Sequence, residues 1–213
     1  TMAHQYEEPI FVHTPVRVDS AGVAGIFWTG GDAVEAAYNA GLSHIKFGVG
    51  TFGGFDIGQS GMLIEGVKGG YPTSLILSSE FTLIDGEGTA YAIHIEADGH
   101  QTTIKNLAVR TAPGGGGGGY SALYSDNAAG LVIDNINVIG SDNVGMSFGG
   151  QFAHITNCYL NDTDSYAINI ANDFPSIIGN IMSSNDGVSI YVENGTDYGV
   201  VTGNMSESLG SYM

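Results

Sequence analysis

The chain has little of several things. Among 213 residues there is one cysteine, one tryptophan, five prolines and five basic residues. A single cysteine excludes an internal disulfide and a zinc cluster built on thiolates. Five Lys and Arg stand against 22 Asp and Glu, for a formal net charge of -17. That balance excludes nucleic acid and anionic membrane as partners, because neutralising phosphates takes cations. No apolar run approaches the roughly 20 residues of a membrane-spanning helix. The prolines are too few, and the glycines too irregular, for collagen. What the chain does have is 43% apolar content, too much for a disordered segment, and 34 glycines. Glycine weakens helices and long strands and is favoured in tight turns. Val, Ile, Thr, Tyr and Phe cluster in runs of about four to six between Gly, Asn, Asp and Ser, the pattern of short strands joined by turns. The length suits one domain with an appended arm.

A repeat organises the second half. The form apolar-x-Asn-apolar recurs in TTIKNLAV (102–109), LVIDNINV (131–138), AHITNCYL (153–160), SIIGNIMS (176–183) and VVTGNMSE (200–207). Its asparagines, Asn106, Asn135, Asn157, Asn180 and Asn204, are spaced by 29, 22, 23 and 24 residues. A second motif runs in phase: YAIHIE (91–96), SALYSD (121–126), VGMSFG (144–149), YAINIA (166–171) and GVSIYV (187–192), at intervals of 30, 23, 22 and 21. Both series are long at the same place, where Pro113 and the six glycines Gly114 to Gly119 lie. One insertion in one turn accounts for both.

Two short strands per repeat, with an Asn turn after the first, describe one coil of a parallel β-helix. A lone strand cannot bury its apolar side; stacked coils bury it together and pair the backbone of each with the next. Asn at one corner of every coil then forms a ladder. In this register Cys158, just after Asn157, is equivalent to Leu107, Ile136, Ile181 and Met205. It is expected to face the core as a small hydrophobe rather than act as a nucleophile.

The first half reads differently. In DAVEAAYNA (32–40), Asp32 and Glu35 have capping-box spacing, Val34, Ala37 and Tyr38 share a face, and Gly41 suits the end of a helix. A strand, HIKFGVGTF (44–52), follows, and then SLILSSEFTLIDGEG (74–88). This order of a short helix, a strand ending in Gly48-Val49-Gly50-Thr51-Phe52, and a strand ending in Gly86-Glu87-Gly88 resembles the entrance to the pectate-lyase-like family. The resemblance covers roughly residues 30–207 and implies an all-β, right-handed parallel β-helix with a short N-terminal capping α-helix over its open end. It also implies a choice of roles: polysaccharide lyase, glycoside hydrolase, or viral tailspike or particle-surface protein.

Two parts are expected, an extended anchoring arm over residues 1–30 and a β-helix domain over 31–213. The arm carries Ile10, Phe11, Val12, Val16 and Val18. It lies along the solenoid flank, or docks on another subunit or assembly by strand addition. It lacks the basic and apolar regions of a signal peptide. Thr1-Met2 is what removal of an initiator Met would leave, which suits a product made in the cytoplasm.

The resemblance implies that a lyase would need a basic residue beside carboxylates, often with Ca2+. None of Lys46, Lys105 or Arg110 is expected beside an acidic pair in one outward column. Hydrolysis needs two carboxylates, and strand alternation points His94, Glu96, Tyr124, Asp126, Ser147, Asn169, Ser189 and Tyr191 outward. Glu96 and Asp126 fall at equivalent positions of adjacent coils, about 4.8 Å apart by rung spacing. They are the weak catalytic candidates; His94, Tyr124 and Asn169 are the glycan-contact candidates. Asp142, Asp162, Asp164, Asp173, Asp186 and Asp197 read as turn caps, with a Ca2+ ion among them as the alternative and no metal set otherwise. The hexaglycine stretch lacks the Lys and Ser/Thr of a phosphate loop. The sequons at Asn161, Asn194 and Asn204 read as coincidence.

With catalytic sets weak and an arm suited to anchoring, the leading expectation is a non-enzymatic virion surface protein. It would decorate a phage capsid or tail, contact the major capsid protein through its arm, and touch cell-surface polysaccharide. The resemblance to β-helix virion proteins implies a homotrimer. The alternative is a secreted or tail-borne polysaccharide depolymerase, a glycoside hydrolase or lyase; an adhesin is a third reading.

Overall fold

Alternation decides what each strand buries, and in this chain it closes a solenoid. In the computed structural model, residues 10–12, 34, 35, 37, 39, 43–67, 81–86, 90–111, 121–141, 143–183, 187–193 and 198–207 are described. Every strand pairing among them is parallel. Pairing joins each strand to its equivalent in the next coil, not to its neighbour in sequence, so the architecture is a parallel β-helix with three faces. Coil 5 is representative: His154–Thr156 lies on the first face, Tyr159–Thr163 on the second and Tyr166–Asp173 on the third. Coils 1 to 6 span residues 44–57, 63–95, 103–125, 132–151, 154–173 and 176–192, and residues 200–207 begin coil 7.

The core runs along the axis as ladders of like residues. On the first face Ile45, Ile64, Ile104, Ile133, Ile155 and Ile177 stack in register, and all are fully buried. Each such burial is worth about 1.5–3 kcal/mol relative to exposure. The third face contributes Ile93, Leu123, Met146 and Ile168 on consecutive rungs. At coil 1, Phe47 meets Phe52 edge-on at 5.1 Å and stacks on Phe55 at 5.5 Å. Of the expected capping helix, Val34, Glu35, Ala37 and Asn39 are described, and these are helical. Ala37 is buried in the core and Val34 packs against that core, while Tyr38 lies outside the described residues. Asp32 and Gly41 lie outside the described residues.

The corner after the first face corrects the asparagine ladder. Asn106, Asn135 and Asn157 occupy it with φ of 60°, 54° and 55°. In the last two coils the left-handed position belongs to Gly179 and Gly203, at 68° and 65°, and the asparagines come one residue later. Pairing fixes this register: Ile133, Ile155, Ile177 and Val201 are equivalent. Asn180 and Asn204 therefore take the inward position of Leu107, Ile136 and Cys158, which Ile181 and Met205 do not. There they form a different ladder. Asn180 Oδ1 accepts from the Cys158 amide at 2.8 Å and its Nδ2 donates to the Ile155 carbonyl at 3.1 Å. Asn204 repeats both contacts one coil on, at 2.9 Å each. Both Asn and Gly tolerate φ > 0, so either can take the corner, and Gly-Asn offers both.

Of the expected N-terminal arm, residues 10–12 are described. Ile10–Val12 is a strand paired in parallel with His44–Phe47, Ile10 opposite Ile45 and Val12 opposite Phe47. Strand addition thus occurs within the chain, as an extra rung before coil 1. Val16 and Val18 lie outside the described residues, as do Pro113 and the hexaglycine stretch.

Candidate functional site

On the third face, one outward residue per rung builds a column: Asp56, His94, Tyr124, Ser147, Asn169 and Tyr191. Two residues further along each strand run Glu96, Asp126, Gly149, Ala171 and Glu193. The first three coils concentrate the chemistry. His94 Nδ1 lies 3.2 Å from Asp56 Oδ1, and its Nε2 lies 3.1 Å from Asp126 Oδ2. A neutral imidazole has one N–H, so both contacts are hydrogen bonds only when a second proton sits on the ring or on one carboxyl group. Tyr91 and Tyr124 stack at 4.5 Å, and His94 tilts against both at 5.0 and 5.5 Å. Burial, and then the Asp126 charge, raise both phenols above their ordinary value; Tyr124 is also hydrogen-bonded to Asp126. Both therefore remain protonated donors at neutral pH.

The weak pair Glu96 and Asp126 does stand on adjacent rungs, but their side chains part. Glu96 leans over Gly58 of the preceding coil, where a Cβ would collide with its Oε2. Asp126 turns to His94 instead. The carboxylate that completes the cluster is Asp56, which sequence reasoning missed. Its signal was the alternation Phe55-Asp56-Ile57, buried on either side of an exposed acid and matching Ile93-His94-Ile95.

His94, Tyr124 and Asn169 share the column. Asn169 Nδ2 faces Ser147 Oγ and Glu193 Oε1, each at 3.4 Å, while its Oδ1 is buried with no partner among the described residues. Tyr191 is exposed on the same face, whereas Ser189 is buried and bonded to Ser206.

The first face corrects the reading of the lysines. Lys46, Glu65, Lys105 and Asp134 follow one another in a single outward column, so Lys105 stands between two acids. It is engaged there, 3.6 Å from Glu65. Burial raises the Glu65 carboxyl, but Lys105, His44 and Lys46 together outweigh it and hold the group below its ordinary value. Cys158 is buried, and burial pushes its thiol up to about 12, which removes it as a nucleophile. Among the described residues no three His, Cys, Asp or Glu side chains converge as metal ligands. Asp142, Asp186, Asp197 and the sequon at Asn194 lie outside the described residues.

No family model matches the chain, and no curated protein matches it. Solved structures do. The catalytic domain of a GH87 alpha-1,3-glucanase in complex with tetrasaccharides superposes with a TM-score of 0.62 at 16% identity, over 83% of this chain and 32% of that one. The same kind of domain in complex with nigerose gives 0.59 at 16% identity, over 77% and 30%. What is shared is the fold. The chain spans about a third of the length of these structures.

These neighbours, catalytic domains of a glucanase, overturn the expectation of a non-enzymatic virion surface protein. That expectation rested on a missing carboxylate set and a free arm. The register places Asp56 beside His94, and Ile10–Val12 is paired with the chain's own sheet.

Proposed function

We propose that this chain is part of a polysaccharide hydrolase built on a right-handed, pectate-lyase-like β-helix. Its third face is the substrate platform, and Asp56 and Asp126 are the carboxylate pair. The observation that carries this reading is the Asp56–His94–Asp126 bridge beside the Tyr91–Tyr124 stack. Carboxyl groups on opposite edges of one imidazole are separated by about the 6.5–9.5 Å that inverting glycosidases use. One then protonates the glycosidic oxygen while the other draws a proton from the attacking water. His94 positions both. The stacked tyrosines offer an apolar surface with polar tips, which suits a pyranose ring.

The glycan is neutral. No Lys or Arg occurs in any strand of the third face, so nothing there offsets a polyuronate, and the acids would repel it. The solved neighbours make alpha-1,3-glucan the first probe, beside other neutral α- and β-glucans. Reducing-end release is expected from wild type. Asp56→Asn and Asp126→Asn should each lower it by about 10²–10⁴, with circular dichroism unchanged. A substrate with an activated leaving group should rescue only the variant that lost the general acid. Wild-type rates in both variants, or no release from any neutral glycan, would overturn the proposal.

A further inference from the structure

Beyond Asp126 the third face changes character. In the column of Glu96 and Asp126 the acids stop and resume only at Glu193; between them stand Gly149 and Ala171. Gly149 is required by close approach, since a Cβ there would collide with the Asp126 carbonyl of the coil before. The result is a floor without side-chain bulk, three rungs or about 14 Å long from Asp126 to Glu193. Along one side run Ser147 and Asn169. Ser147 and Glu193 hold the Asn169 amide, and its buried Oδ1 has no partner among the described residues. Buried polar atoms are nearly always partnered; five among the described residues are not, and this is the one in the outward column of the third face. At the far end Tyr166 stacks on Tyr191 at 4.8 Å and 22°, repeating the Tyr91–Tyr124 pair at 4.5 Å and 12°. Tyr191 occupies the column position of Tyr124.

We infer that coils 4 to 6 of the third face are a second binding subsite for the same neutral polymer. Its chain would run along the solenoid axis from the carboxylates over Gly149 and Ala171 to the Tyr166–Tyr191 platform. An uncharged occupant that presents ring faces to the tyrosines and a hydroxyl donor to Asn169 Oδ1 fits each feature; a short oligosaccharide held at Asp126 does not reach Tyr191. This inference rests on the hydrolase reading for its substrate. It makes the protein a reader of chain length that favours internal positions of a polymer.

The test uses neutral glucan oligosaccharides of increasing length, starting from the disaccharide, with the full chain. For wild type, kcat/KM should rise with length and then level off. Asn169→Ala and Tyr191→Ala should each lower kcat/KM for the longest oligosaccharides by about tenfold, through KM, and leave the shortest unchanged. Ala171→Phe, at an exposed position, should fill the floor and flatten the length dependence. An unchanged length dependence in all three variants, with turnover still abolished by Asp126→Asn, would overturn the subsite and leave the hydrolase standing. Length-dependent binding by titration calorimetry, lost in Ala171→Phe but without turnover in wild type, would support the subsite and sink the hydrolase.

Discussion

On the first face, Lys46, Glu65, Lys105, Asp134 and Thr156 succeed one another rung by rung, and the acids among them are answered from within the fold. Glu65 has His44 at 3.2 Å and Lys105 at 3.6 Å. Asp134 accepts from Thr156 and Asn157 at 2.8 and 2.9 Å. On the third face, Asp56 and Asp126 share one histidine, Tyr124 also bonds Asp126, and the Asn169 carbonyl has no partner among the described residues. Both columns are made the same way, by alternation and stacking. They differ at Asn169, a buried acceptor on the third face that no neighbouring rung among the described residues meets. Where neighbours meet a residue's needs the ladder is structural; where they do not, the face is available to a ligand.

The sharpest way to break this contrast is to treat the two carboxylate-bound histidines alike. His94→Gln is expected to lower kcat by about 10²-fold with little change in KM. His44→Gln should leave steady-state kinetics untouched. Equal losses would erase the distinction between the faces.

A smaller effect compares two acids by stability. Asp134→Ala leaves the Thr156 hydroxyl and the Asn157 amide without their acceptor, and should cost about 1–2 kcal/mol in urea denaturation. Asp126→Ala removes the acceptor of His94 and Tyr124, but at a more exposed position where water replaces it, and should cost less, under about 1 kcal/mol.

The smallest effect belongs to the ion pair. Lys105→Met should cost under about 1 kcal/mol near pH 7. The Glu65 carboxyl lies below its ordinary value of 4.5 in the folded protein. Its contribution is therefore present above that value and lost as pH falls through the folded one. The gap between wild type and Lys105→Met should close in strong acid; a gap that persists there would show packing, not charge, to be the cause.

The coil was legible because apolar alternation and turn asparagines recur at a fixed period, and that period is set by the circumference of the solenoid. The slip at Asn180 has a local cause. A left-handed corner accepts Asn or Gly, so in Ile-Gly-Asn the chemistry of the corner does not say which residue takes it; only pairing of Ile155 with Ile177 does. The site was half legible for a similar reason. His94, Tyr124 and Asp126 lie inside the regular repeat. Asp56 belongs to coil 1, separated from His94 by 38 residues, too many for the period to reach. Side-chain direction was not legible at all: Glu96 and Asp126 occupy equivalent positions and each leans toward the coil before it, Glu96 over Gly58 and Asp126 to His94, so the two carboxylates do not meet.

Cys158 sits where the inward column changes from hydrocarbon, at Leu107 and Ile136, to amide, at Asn180 and Asn204. It is the sole thiol in the chain, and only 1% of it is exposed. A labelling reagent can reach it only when coil 5 separates from its neighbours. Its modification rate against reagent concentration would then measure how often the stack opens at that junction. The molecule thus carries its own clock for partial unfolding, read without adding a probe.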